Sequence, residues 1–264
     1  IPLLTTGLAM TFSGCLGRRL TYFPPALAVP SPPPAPFEEV RLQSGGKAIV
    51  CWWADRNVTA GRPALLFFGG NGVNLEACRQ AGIFDNILGS PAAILALEYP
   101  GYGTSEGSPS EASIASAAEA AFSWLRETHP DRPCVLSGQS LGAGVAVGLA
   151  ARHPNEIQAL VLLRPFTSLA DAARAHYPGW LVKIALKERY DSASRIGDLS
   201  VPVLILHGEK DEIIPVAQGR ALAKAARDGR FIGIAERTHN DLQDDDAVWK
   251  AVRSFLSEPA RAEA

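Results

Sequence analysis

Gly138-Gln139-Ser140-Leu141-Gly142 stands between an apolar run, Cys134-Val135-Leu136-Ser137, and a stretch of helix formers. A serine at a sharp strand-to-helix turn is placed for nucleophilic chemistry. The turn crowds the backbone, so glycines are needed on both sides, and the hydroxyl is lifted to the helix N-terminus. That helix end favours the negative charge that develops when a serine attacks an acyl carbon. The serine then needs a base, and the base needs an orienting acid. His239, in the polar loop Thr238-His239-Asn240-Asp241 ahead of the last helix, is the predicted base. His207 ends an apolar run and reads as structural. His129 and His153 each precede a proline and read as solvated helix-end residues; His176 reads as peripheral. The acid is expected on the loop after the penultimate strand, where Asp211 stands, with Glu209 and Glu212 as near alternatives. Asp241 is too close to His239 to orient it and reads as a helix N-terminal charge. Backbone N–H groups must hold the oxyanion. Leu141 is one expected donor. Asn71, in Gly69-Gly70-Asn71-Gly72, is the other, because glycine lets that loop approach a substrate.

These residues need a scaffold. Strand-like runs are predicted at 38–43, 47–54, 64–68, 92–97, 134–137, 159–163, 201–206 and 230–235, and Ser44-Gly45-Gly46 signals a hairpin. The later runs are apolar throughout, as expected of strands buried on both faces. Helices are predicted at 111–128, 141–152, 216–227 and 245–256. An antiparallel start followed by alternating β and α implies a mostly parallel eight-stranded sheet with helices on both faces. The chain has 264 residues, 47% hydrophobic and 20% charged, with a net charge of −2. That length suits one large α/β domain, and that charge gives no sign of a nucleic-acid partner.

Six segments together resemble the bud-emergence-protein-like (Bem-like) branch of the α/β-hydrolases, which includes bacterial lipoprotein members. They are Phe67-Phe68-Gly69-Gly70-Asn71-Gly72-Val73-Asn74, the stretch 98–107, Gly138-Gln139-Ser140-Leu141-Gly142, the stretch 165–169, His207-Gly208-Glu209-Lys210-Asp211, and Thr238-His239-Asn240-Asp241. They run in the family's order from about residue 37 to 257. The chain departs from the family at Gly69, where a histidine is usual. The resemblance implies an α/β-hydrolase fold and gives Ser140, Asp211 and His239 the roles that their spacing suggests. The expected activity is cleavage of small or lipid-like carboxylic esters through an acyl-enzyme, with no metal or organic cofactor. An acyl-protein thioesterase or a serine peptidase is the alternative, and a binding protein that kept the fold is a third class.

Residues 1–36 read differently from the rest. Ile1 to Cys15 is apolar and uncharged, too short for a membrane span of about 20 residues but of signal-peptide length. Phe12-Ser13-Gly14-Cys15 resembles a lipobox, which would leave Cys15 lipidated, attached to a membrane, and the protein in a bacterial cell envelope. The Pro-rich stretch 24–36 is expected to be an extended linker, with the hydrolase domain at 37–264 and a small cap at about 166–196. The cap's apolar stripe, from His176 to Leu186, is expected to pack onto the domain. Cys51 and Cys134 read as small buried hydrophobes.

Overall fold

Every residue of Ala64–Phe68 (β3) and Ala93–Leu97 (β4) is buried, because both faces of these strands are covered. In the computed structural model, which describes residues 21–56 and 61–258, they lie in an eight-stranded sheet of order β1-β2-β4-β3-β5-β6-β7-β8. The remaining strands are Glu38–Ser44 (β1), Lys47–Ala54 (β2), Cys134–Gln139 (β5), Ile157–Leu163 (β6), Val203–Gly208 (β7) and Gly229–Ile234 (β8). β1, β2 and β4 pair antiparallel, and all later pairings are parallel. The first hairpin closes through Gly45 and Gly46, both at positive φ (57° and 71°), where a side chain would be strained.

The helices are Leu75–Gln80 (α1), Ile83–Leu88 (α2), Glu111–Thr128 (α3), Leu141–Arg152 (α4), Leu169–Arg174 (α5), Gly179–Ala185 (α6), Ala193–Ile196 (α7), Val216–Ala225 (α8) and Asp246–Ser257 (α9), with a 3-10 turn at Leu242–Asp244. α3 starts where Ser110 and Ser113 form a reciprocal capping box. Alternate strand residues feed two cores. Leu66 and Phe68 pack with Ile114, Leu125, Ile196 and Leu222 on one face. Leu65 and Phe67 pack with Leu75, Phe84, Val252 and Phe255 on the other. The sheet is therefore closed on both sides, and its strand ends remain to carry a site.

Two expectations about the chain outside the sheet are corrected. The Pro-rich segment is extended but is no free spacer. Val29 and Pro33 are buried against the domain, as is Tyr22 just ahead of the segment. The Tyr22 and Tyr190 hydroxyls share a buried hydrogen bond of 2.8 Å, and Asn74 Nδ2 donates to Leu27 O at 2.7 Å. The cap stripe does not pack inward either: in α6 only Val182 is buried. Cys51, Cys78 and Cys134 are buried free thiols, while Cys15 lies outside the described residues.

Candidate active site

β5 passes into α4 at Ser140, whose backbone sits at φ 52° and ψ −112°. A residue with a Cβ pays for that conformation. Its neighbours make it sterically possible: a Cβ at Gly138 would overlap the Gly142 carbonyl, and one at Gly142 the Phe68 carbonyl. The Ser140 N–H donates to Leu163 O at 2.9 Å, tying the elbow to β6. Ser140 is left half-buried at the start of a helix. Leu141 follows as the first helical residue, so its N–H has no partner four residues back.

His239 is buried on the loop between β8 and the 3-10 turn. Its Nδ1 donates to Asp211 Oδ2 at 2.8 Å. Asp241 closes that loop by accepting from Thr238 N and Thr238 Oγ1, both at 2.7 Å. Its side chain shapes the histidine turn, and the residue stands at the N-terminus of the 3-10 turn Leu242–Asp244, the position expected of it.

Asp211 has no exposed side-chain surface. Its Oδ1 accepts the N–H groups of Ile213 at 2.9 Å and Ile214 at 2.8 Å. Its Oδ2 also lies 3.1 Å from Nε2 of His207, a fully buried ring whose Nε2 is 2.9 Å from Ile214 O. Burial by itself would raise the Asp211 pKa. The hydrogen bonds from His207, His239 and the Ile214 amide outweigh burial and hold the carboxyl far below its ordinary range. Glu209 and Glu212 are both exposed, and Glu209 is paired with Arg220 at the surface. Of the three carboxylates, Asp211 alone is hydrogen-bonded to His239.

The His239 pKa is lowered. Burial is the main cause; the Arg164 charge pushes the same way, and the Asp211 hydrogen bond opposes both. Arg164 is itself buried, which brings its guanidinium down to about 10. It reaches Gln139 Oε1 at 3.2 Å and Gln243 Oε1 at 2.7 Å. It thereby joins the residue before Ser140 to the turn after His239. His207 acts as more than a strand-end residue, and Arg164 was not singled out by its sequence. A lone cation closing the apolar run 159–163 was the available signal.

Asn71 spends its side chain on the N-terminal segment. Nδ2 donates to Thr21 O at 2.5 Å, and Oδ1 accepts from Phe23 N at 3.2 Å and from the Tyr102 hydroxyl at 2.9 Å. The Tyr99 hydroxyl donates to Gly69 O at 2.7 Å and holds the base of the same loop. Asn71, Ser140, Leu141 and His239 all line one cleft of ≈ 400 Å³, with Phe166 and Leu186 in its walls. His176, expected to be peripheral, borders that cleft and donates from Nε2 to Ile213 O at 2.8 Å. His153, as expected, ends a helix and is partly exposed, accompanied by Glu119 and Glu156. His129 likewise ends α3, but it stacks on Trp53 with ring centroids 4.4 Å apart. Among the described residues no cluster of metal-ligating side chains occurs.

Comparison with known proteins agrees with this architecture. A model of the alpha/beta hydrolase fold matches residues 63–189, and one of TAP-like proteins matches residues 173–263. An uncharacterised protein of Mycobacterium tuberculosis is 35% identical over 98% of this chain and 94% of its own length. The Schizosaccharomyces pombe protein bem46 is 34% identical over 75% of this chain and 68% of its own. Est1E of Butyrivibrio proteoclasticus, solved with bound ferulic acid, superposes with a TM-score of 0.70 at 19% identity, covering 82% of this chain and 97% of its own, which shows a shared fold. The chain belongs to the α/β-hydrolase family, in the branch that includes bem46. It is accordingly a hydrolase.

Proposed function

We propose that the chain is a serine hydrolase that cleaves carboxylic esters through an acyl-enzyme. One observation carries the reading. A strained Ser140 opens into the same cleft as a histidine whose far nitrogen is held by a buried carboxylate. With Nδ1 donating to Asp211, the His239 ring is fixed in the tautomer that leaves Nε2 free to accept a proton. His239 takes the Ser140 proton as the hydroxyl attacks the acyl carbon, and returns it to the leaving alkoxide as the C–O bond breaks. A water then repeats the cycle and releases the acid. The imidazolium formed in each step is stabilised by Asp211. The N–H groups of Leu141 and Asn71 hold the oxyanion. Lipid-like substrates are supported by a relative, a lysophosphatidylserine lipase of Danio rerio, 28% identical over 68% of this chain and 51% of its own length.

The test is a panel of soluble nitrophenyl esters, acyl-thioesters and aminoacyl amides. Esters are expected to give the highest kcat/KM. Faster turnover of thioesters or amides would reassign the substrate to the thioesterase or peptidase alternative.

The histidine gives a pH prediction. The base must be neutral, and its pKa is lowered, so the acid limb of kcat/KM shifts to lower pH. Activity should hold down to about pH 6.5 and fall only beneath it, since an unperturbed imidazole is half protonated there. An acid limb centred above neutrality contradicts the assigned base.

The lipobox-like residues support a second proposal, that Cys15 is lipidated in a bacterial envelope. Mass spectrometry of the protein expressed in bacteria should find acyl groups on an N-terminal Cys15, and Cys15→Ser should abolish them. An unlipidated product in the detergent-free phase would refute the anchor.

A further inference from the structure

The cap helix α6 turns its apolar residues to the outside. Trp180 is 67% exposed, Ile184 66% and Tyr177, just before the helix, 59%. A helix facing water shows polar residues there. Phe23 and Ile213 are exposed as well, and they lie in the same region. Phe23, Tyr177 and Ile213 line the Ser140 cleft, and Phe23, Tyr177 and Leu181 line an adjoining cavity of ≈ 300 Å³. The apolar patch therefore rims the mouth of the cleft. Contiguous patches of this kind mark a surface that meets something apolar.

Charge and chain path say what it meets. Between Asp171 and Glu188 the charged side chains are Arg174, which is ion-paired to Asp171 at 2.7 Å, and Lys183 and Lys187, all basic and all exposed. Tryptophan, tyrosine and aliphatic residues interleaved with lysine are the composition of a helix lying in a membrane interface. The buried centre of a protein–protein interface is depleted of lysine. Residues 1–20 join the described chain at Thr21, which itself lines the cleft. That stretch is apolar and uncharged through Cys15 and then carries Arg18 and Arg19.

We propose that α6 seats this protein on an anionic phospholipid bilayer, with Trp180 and Ile184 entering the interface and the Ser140 cleft opening toward the lipid. The seating is peripheral, for among the described residues no helix is long and apolar enough to cross a membrane. It stands on the cap surface and needs no turnover, so it is tested separately from the ester-hydrolase reading.

The test uses the tryptophans. The chain has five, and only Trp180 is exposed. The full chain is mixed with vesicles of brominated phosphatidylcholine, alone or blended with phosphatidylglycerol. Quenching of tryptophan fluorescence is expected, and Trp180→Phe should remove it. Partition should rise about fivefold for each cation that reaches the anionic surface. In the full chain carrying both Trp180→Glu and Ile184→Glu, partition should fall at least about tenfold. Neither residue lines the cleft, so hydrolysis of a soluble short-chain nitrophenyl ester should be unchanged in that variant. Three results overturn the proposal. One is vesicle binding with Trp180 unquenched. Another is equal partition on both lipids. The third is a dimer, without vesicles, in which Trp180 is shielded from a soluble quencher; the patch would then belong to a second copy.

Discussion

Ser140→Ala lowers turnover by about 10⁴–10⁶-fold and abolishes labelling by a fluorophosphonate, while the thermal transition stays in place. The size of the loss follows from the proposed route. Without Oγ no acyl-enzyme forms, and a water must attack directly in a cleft arranged for a tethered oxygen. The Leu141 and Asn71 amides, which we propose hold the oxyanion, remain in the variant, so a residue of activity above the uncatalysed rate is expected to persist. The stability forecast also has a structural reason. The strain at φ 52° belongs to the backbone and Cβ, both of which alanine keeps. The Ser140 N–H bond to Leu163 O is untouched. Equal labelling of the variant and the wild type would show that another residue is the nucleophile.

Asp211→Asn is expected to cost about 10⁴ in turnover, close to the loss seen when such an acid is made an amide in another serine hydrolase. The reason lies in the four donors around the carboxylate. Oδ1 receives the Ile213 and Ile214 amides, and Oδ2 faces His239 and His207. An asparagine has one oxygen to offer. If it faces the amides, its NH₂ confronts the His239 donor and selects the wrong tautomer. If it faces the histidines, the NH₂ confronts two backbone donors and the loop shifts. Either way the base is misplaced, and a modest fall in melting temperature should accompany the loss. Glu209→Gln and Glu212→Gln should each cost less than about tenfold, because both side chains are exposed. A larger kinetic loss in either glutamine variant than in Asp211→Asn would move the acid to that position.

What was legible from residues alone was local in origin. The elbow at Ser140 follows from glycines two residues away on each side, and the first hairpin from Gly45 and Gly46. Strands β3 and β4 are readable because their apolar runs are unbroken, and α3 because it is rich in alanine with Ile114, Phe122 and Leu125 apolar. A few consecutive residues encode each of these through sterics and periodicity. Strand ends moved by a residue or two, as at Val203–Gly208, because pairing with neighbours decides where a ladder stops. Tertiary structure alone decided which side chains meet. Asp211, Glu209 and Glu212 share one loop, and the fold buries the first against His207 and His239 while the other two stay exposed. His207 gained its place beside Asp211 in the same way. Arg164 bridges Gln139 and Gln243, residues far apart in the chain. The Pro-rich segment has the composition of a spacer, yet Asn74 binds its Leu27 carbonyl, Asn71 binds the Thr21 carbonyl just ahead of it, and both draw it against the loop after β3. The α6 stripe has core-like periodicity, yet it faces outward. Periodicity reports that one face of a helix is apolar; what that face meets depends on which other segments arrive, and no local pattern encodes that.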